Sequence, residues 1–132
     1  MAEKAPSVDS WLREAKADPA AADCGMFLIH NGVVRRTARA QVREGVQSGE
    51  VRGMDFDYDA EKVEKAVASA RELPGIRYVR AWLNRGHLQV GDDIMLVLIG
   101  GDIRPRVVEA LQTLVGAIKN ECVTERELIP EA

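Results

Sequence analysis

The sequence predicts an α+β domain, a mostly antiparallel sheet with flanking helices, in the order α-β-β-α-β-β-β-α. Three observations carry this prediction. Two segments, Ala60 to Leu73 and the stretch through Val107 and Ile118, show helical apolar stripes. Several runs have strand length, the most hydrophobic being Ile94 to Ile99. Connections of hairpin length favour antiparallel pairing over crossovers. The 132 residues are expected to form one domain, residues 1–132, with residues 120–132 as a polar C-terminal tail. That length can bury a core without metals or staples.

The elements follow in order. Asp9 or Ser10 caps a short helix through Trp11, Leu12 and Ala15, and Asp18-Pro19 ends it, because a residue before proline avoids the helical region. Ala20 to Asp23 connects. Cys24 to Val34, CGMFLIHNGVV, is too short for a good helix and reads as a buried strand. Thr37 to Gly49 is polar and breaker-rich, a mobile loop or loose hairpin. Val51 to Tyr58 alternates as a half-buried strand, imperfect at Gly53. Asp59 caps the helix Ala60 to Leu73, whose stripe is Val63, Ala66, Val67 and Ala70, and Pro74-Gly75 stops it. Ile76 to Leu83 is a strand, Gly86 to Asp92 a short strand and turn, and Ile94 to Ile99 the central strand. After Gly100-Gly101-Asp102 comes the last helix, with Val107, Leu111, Leu114, Val115 and Ile118 as its stripe. Pro130 prevents regular continuation of the tail.

Composition narrows the function. Eighteen basic residues against twenty-one acidic give a net charge of −3, which argues against a general nucleic-acid binder. No apolar run approaches the ~20 residues that span a bilayer. MAEKAPSVDS has no apolar leader, so secretion is not signalled, and a cytoplasmic location is the default expectation. Cys24 and Cys122 form no CxxC and are expected to be free thiols, without a metal site. His30 and His87 lack carboxylate or cysteine company and read as ordinary core or surface histidines. Arg35, Arg36, Arg39, Arg43 and Arg52 fall within eighteen residues. They form either a solvated, ion-paired surface or an anion site, since guanidinium forks match phosphate and carboxylate.

Four segments in order resemble the large (catalytic) subunit of molybdopterin synthase, the MoaE family. They are Gly25 to Arg35, ending in G-x-V-R; Val51 to Ala70, with Met54 and Glu61-Lys62; Gly86 to Asp92, a G-x-L-x-x-G-D; and Ile94 to Lys119, with Arg104 and Glu109-Ala110. The resemblance covers roughly residues 8–128 and implies the family's α/β hammerhead fold. It also implies the reaction. Sulfur passes from a thiocarboxylate at the C-terminus of a ubiquitin-like small subunit to cyclic pyranopterin monophosphate, in molybdenum cofactor biosynthesis. The implied assembly is a homodimer with one small subunit at each end. No cofactor is implied.

Carried over residue by residue, the resemblance assigns the reacting end to Lys119 and Arg126. It assigns the pterin phosphate to Arg35 and Arg104, which are expected to line one concave, electropositive pocket. Each has a plainer reading: Arg35 as a strand-end arginine in water, Arg104 as a solvated residue behind an Asp102 cap, and Lys119 as a cation favoured by a helix C-terminus. The departures are Leu83-Asn84-Arg85 where the family has His-Arg, Ile103 for a histidine, and Arg126 within Thr124-Glu125-Arg126-Glu127 for the second lysine. Arginine holds phosphate but stays protonated, so the anion-holding half of the site survives better than the proton-handling half. Two functions follow: a divergent sulfur-transferring large subunit, or a non-catalytic paralogue that keeps the dimer and binds the small subunit or a pterin phosphate without turnover. A chance α+β mimic ranks below both. Arg36 to Glu50 is expected to be poorly ordered without a partner.

Overall fold

The strand-length runs pair into two three-stranded antiparallel sheets, in a computed structural model that describes residues 3–37 and 50–129. The first sheet joins β1 (Met26–Val33), β5 (Asp93–Gly101) and β3 (Ile76–Leu83) in the order β1-β5-β3. The second joins β2 (Gly53–Tyr58), β4 (Gly86–Gln89) and β6 (Val123–Leu128) in the order β4-β2-β6. The helices are α1 (Val8–Ala17), α2 (Ala60–Arg71) and α3 (Arg104–Ala117). A short 3₁₀ turn, Pro19–Asp23, follows α1, and a π-helical turn, Ile118–Cys122, follows α3.

The strand Ile94 to Ile99 is central, as its hydrophobicity predicts. Met95 through Ile99 are almost wholly inaccessible, and β5 is paired on both sides. Side chains alternate across the sheet. Met95, Val97 and Ile99 meet Val63, Val67, Val107, Leu114 and Ile118 of the helices, together with Met54, Phe56 and Leu88 of the second sheet. Leu96 and Leu98 face the other way, onto Trp11 and Ala15 of α1. Arg80 stacks 4.4 Å over the Trp11 ring and bonds Glu14 at 2.9 Å, which covers this smaller core.

Several sequence expectations change. The N-cap of α1 is Ser7, whose hydroxyl accepts from the Ser10 amide at 3.2 Å, not Asp9 or Ser10. β1 is half-buried rather than buried, because it is an outer strand of its sheet. The polar tail is not irregular throughout: Val123–Leu128 pairs along the whole of β2. A polar segment suits this place, because β6 lies at a sheet edge where alternate side chains reach solvent, and Pro130 follows the end of the strand. The Asp59 cap is as expected, its carboxylate accepting from the Lys62 amide at 3.1 Å. Gly75 takes φ 78°, the left-handed region open to glycine, in the turn between α2 and β3. The loop expectation for Arg36 to Glu50, with Arg39 and Arg43, falls mostly on residues 38–49, outside the described residues.

Candidate functional site

The strand β1 carries its residues past the start of β5, where Gly32 faces Met95 and Val33 faces Asp93. Even-numbered side chains of β1 turn toward α3, so His30 and Gly32 point where that helix ends. There the helix widens into a π turn, a form common at functional sites, and Lys119 lies on that turn. Residues 125 and 127 of β6 complete the surround. The result is a cleft of about 220 Å³ lined by His30, Arg35, Lys119, Glu125 and Glu127 over a floor of Met54, Ile94 and Met95. Gly32 keeps that floor open. A Cβ there would lie 3.3 Å from the Met95 Cγ and 3.6 Å from the His30 Nε2.

Arg35 and Lys119 therefore share one cleft within the chain. Arg104 does not join them. It follows Gly101, which pairs with Met26 at the far end of β1, so the length of that strand, roughly 23 Å, separates it from Arg35. Within one chain, then, Arg35 and Arg104 do not line one pocket. Asp102 is not the cap of α3 either. The N-cap is Ile103, while Asp102 accepts from the Ile103 amide at 2.7 Å and bonds Arg106 at 2.8 Å.

Arg126 does not line this chain's cleft either. Alternation along β6 sends Glu125 and Glu127 into the cleft and Arg126 to the other face, where it borders a separate depression with Arg52. A motif read by spacing alone does not register that neighbours on a strand face opposite ways. The cleft is thus mixed in charge, with two cations and two carboxylates, rather than simply electropositive.

Two features escaped the sequence reading. His30, which by sequence is an ordinary core or surface histidine, has its Nε2 buried without a hydrogen-bond partner among the described residues. Burial, and secondarily the Lys119 charge, push its pKa below the usual histidine value. The available signal was its place two residues before Gly32 on the inward parity of β1. Asn84, which stands where the family has part of a His-Arg pair, is 1% exposed. Its amide donates to the carbonyls of Glu3 and Asp93 at 3.0 and 2.8 Å and accepts from the amides of Glu3 and Arg85 at 2.8 Å each. Arg85 stacks 4.3 Å over Tyr58 and bonds Asp57 at 2.6 Å, which holds that carboxyl below its ordinary pKa. The Leu83-Asn84-Arg85 segment is architecture here. A larger groove of about 600 Å³ lies between α2 and α3, mostly apolar and away from Arg35 and Lys119. Among the described residues, no three His, Cys, Asp or Glu side chains converge as a metal site would need.

The family model described as MoaE protein matches residues 2–121, nearly the whole chain. The chain belongs to the MoaE family. The two antiparallel sheets and three helices are the family's fold, and the family is one of molybdenum cofactor biosynthesis. Molybdopterin synthase from Staphylococcus aureus superposes with a TM-score of 0.73 at 16% identity, over 98% of this chain and 90% of that one. The MoaE protein of Burkholderia ambifaria gives 0.70 at 18% identity, covering 98% and 86%. A complex of subunits 1 and 2 of molybdopterin-converting factor from Helicobacter pylori gives 0.66 at 18% identity, covering 96% and 82%. No curated protein matches the chain by sequence. Identities this low mark a divergent MoaE member whose fold has outlasted its sequence. No described helix is long and apolar enough to cross a membrane.

Proposed function

We propose that this MoaE chain is a divergent large subunit of molybdopterin synthase. It takes sulfur from the thiocarboxylated C-terminus of a ubiquitin-like small subunit and places it on cyclic pyranopterin monophosphate. The observation that carries this reading is the shared cleft of Arg35 and Lys119, two residues far apart in sequence that match family functional positions. Arg35 offers a planar fork to phosphate or carboxylate. Lys119 can reach a terminal carbonyl, and as an amine it can lose its proton, which no arginine there can do. The Helicobacter pylori complex of the two converting-factor subunits supports a small-subunit partner. The working form is a cytoplasmic homodimer, and light scattering that finds only the 14.5 kDa species at micromolar concentration opposes it.

The test is single-turnover conversion of the pterin precursor by this chain with thiocarboxylated small subunit. Product formation supports the reading. Its absence, with the partner still bound, favours the second reading, a non-catalytic paralogue. That alternative draws on Arg104 and Arg126 lying outside the cleft and on Ile103 replacing a histidine.

A further inference from the structure

The cleft wall holds one group that the family motifs do not assign. His30 presents an imidazole on the inward face of β1, with Nε2 covered and unpartnered beside Gly32. A buried polar atom left unmatched in a cleft wall needs an account, and a catalytic role is one such account. The other titratable groups of the lining are poor candidates for taking a proton near neutrality. An arginine cannot serve as a base, Lys119 is assigned to the terminal carbonyl, and Glu125 and Glu127 are already engaged in interactions of their own. Burial and the Lys119 charge keep the His30 ring neutral, so it enters any reaction with a lone pair available.

We propose that His30 is the proton acceptor of this cleft, activating the water that splits the acyl–sulfur bond during sulfur transfer. The proposal rests on the sulfur-transfer reading above. Sulfur stays on the substrate only if its bond to the acyl carbon of the small subunit breaks. Water adds its oxygen to that carbon while Nε2 takes one of its protons. The carbon–sulfur bond then breaks with its electron pair on sulfur. A carboxylate remains on the small subunit and a thiolate on the substrate; the imidazolium returns its proton to solvent, and the newly formed carboxyl group releases the second proton of the water there as well. No oxidant or reductant is needed. Arg35 and Lys119 are exposed side chains bordering the ring. The proposed role requires that they move onto the bound phosphate and carbonyl and so admit water to Nε2, with which they otherwise share a lining. The family histidine replaced by Ile103 and the lysine replaced by Arg126 thus have a proton-handling counterpart on β1.

The experiment compares wild type, His30→Gln and His30→Phe in single turnover with thiocarboxylated small subunit and cyclic pyranopterin monophosphate. Intact mass spectrometry follows the small subunit. Both variants are expected to bind the partner normally, accumulate the acyl–sulfur adduct, and release carboxylate about 100-fold or more slowly. The acid limb of the wild-type rate disappears with the imidazole. Variants that turn over like wild type overturn the role of His30 and leave the sulfur-transfer reading standing. A wild type that does not turn over defeats both. Titration of the His30 ring by NMR in wild type needs no variant, and a value at or above the ordinary histidine range overturns the proposal.

Discussion

Replacing Asn84 by alanine removes four hydrogen bonds at once from a side chain 1% exposed, and the structure fixes what that costs. A net value of about 1 kcal/mol per bond sets the scale at ~4 kcal/mol. Glu3 is an exposed residue, so its amide and carbonyl can partly return to water, which lowers the loss. The Asp93 carbonyl and Arg85 amide are part-buried and lose a partner they cannot easily replace, which sustains it. About 3 kcal/mol is the resulting expectation. An unfolding entropy of about 2.1 cal/mol/K per residue gives ~0.28 kcal/mol/K for a chain of this length, so the melting temperature falls by about 10 °C. Calorimetry or circular dichroism reads this directly. Asn84→Asp keeps the shape but turns both donors into acceptors facing the Glu3 and Asp93 carbonyls, and it should fall at least as far. A drop of less than about 3 °C for Asn84→Ala refutes the assignment of this residue to architecture. The effect also bears on the site, because Asn84 ties β3 to the start of β5 and Ile94 and Met95 form the cleft floor.

Three further outcomes are expected. Lys119→Ala abolishes product formation while partner binding and dimerisation stay within about twofold of wild type, and equal activity defeats the transfer of the family role to this position. Arg126→Lys changes single-turnover rate less than about twofold, because position 126 faces away from the cleft; a large gain places that side chain at the reacting end after all. Stability falls as pH drops below about 6.5, since the folded state holds the His30 pKa below its unfolded value and so binds fewer protons than the unfolded chain between the two. Chemical denaturation across that window measures the loss, and His30→Phe removes the His30 share of it.

The legible parts of this fold were those in which one local pattern sufficed. Ile94 to Ile99 is apolar on both parities and became a strand covered on both faces. The Asp59 cap and the Val63, Val67, Ala70 stripe specified α2 without help from elsewhere. β6 was illegible because Val123–Leu128 gains its stability from the β2 backbone, a partner about 70 residues earlier, and not from its own hydrophobicity. Asn84 failed for the opposite reason. A polar residue reads as surface until its bonding partners, one of them Glu3, 81 positions away, are known.

The site divides along the same line. Arg35 and Lys119 belong to separate motifs and converge because β1 and α3 both run antiparallel to β5 and so in the same direction over one sheet face, bringing the end of each to the same edge. Arg104 begins the helix whose far end carries Lys119, so any one chain that seats α3 correctly must hold these two cations apart. Strand parity then decides the rest: it turns Glu125 and Glu127 inward, sends Arg126 out, and brings His30 to the wall. Sequence identity at a motif position and access to the cleft are separate properties in this chain. Only the second determines which residue can handle a proton. On that criterion the imidazole on β1 stands closer to the chemistry than the arginine that occupies the family's lysine position.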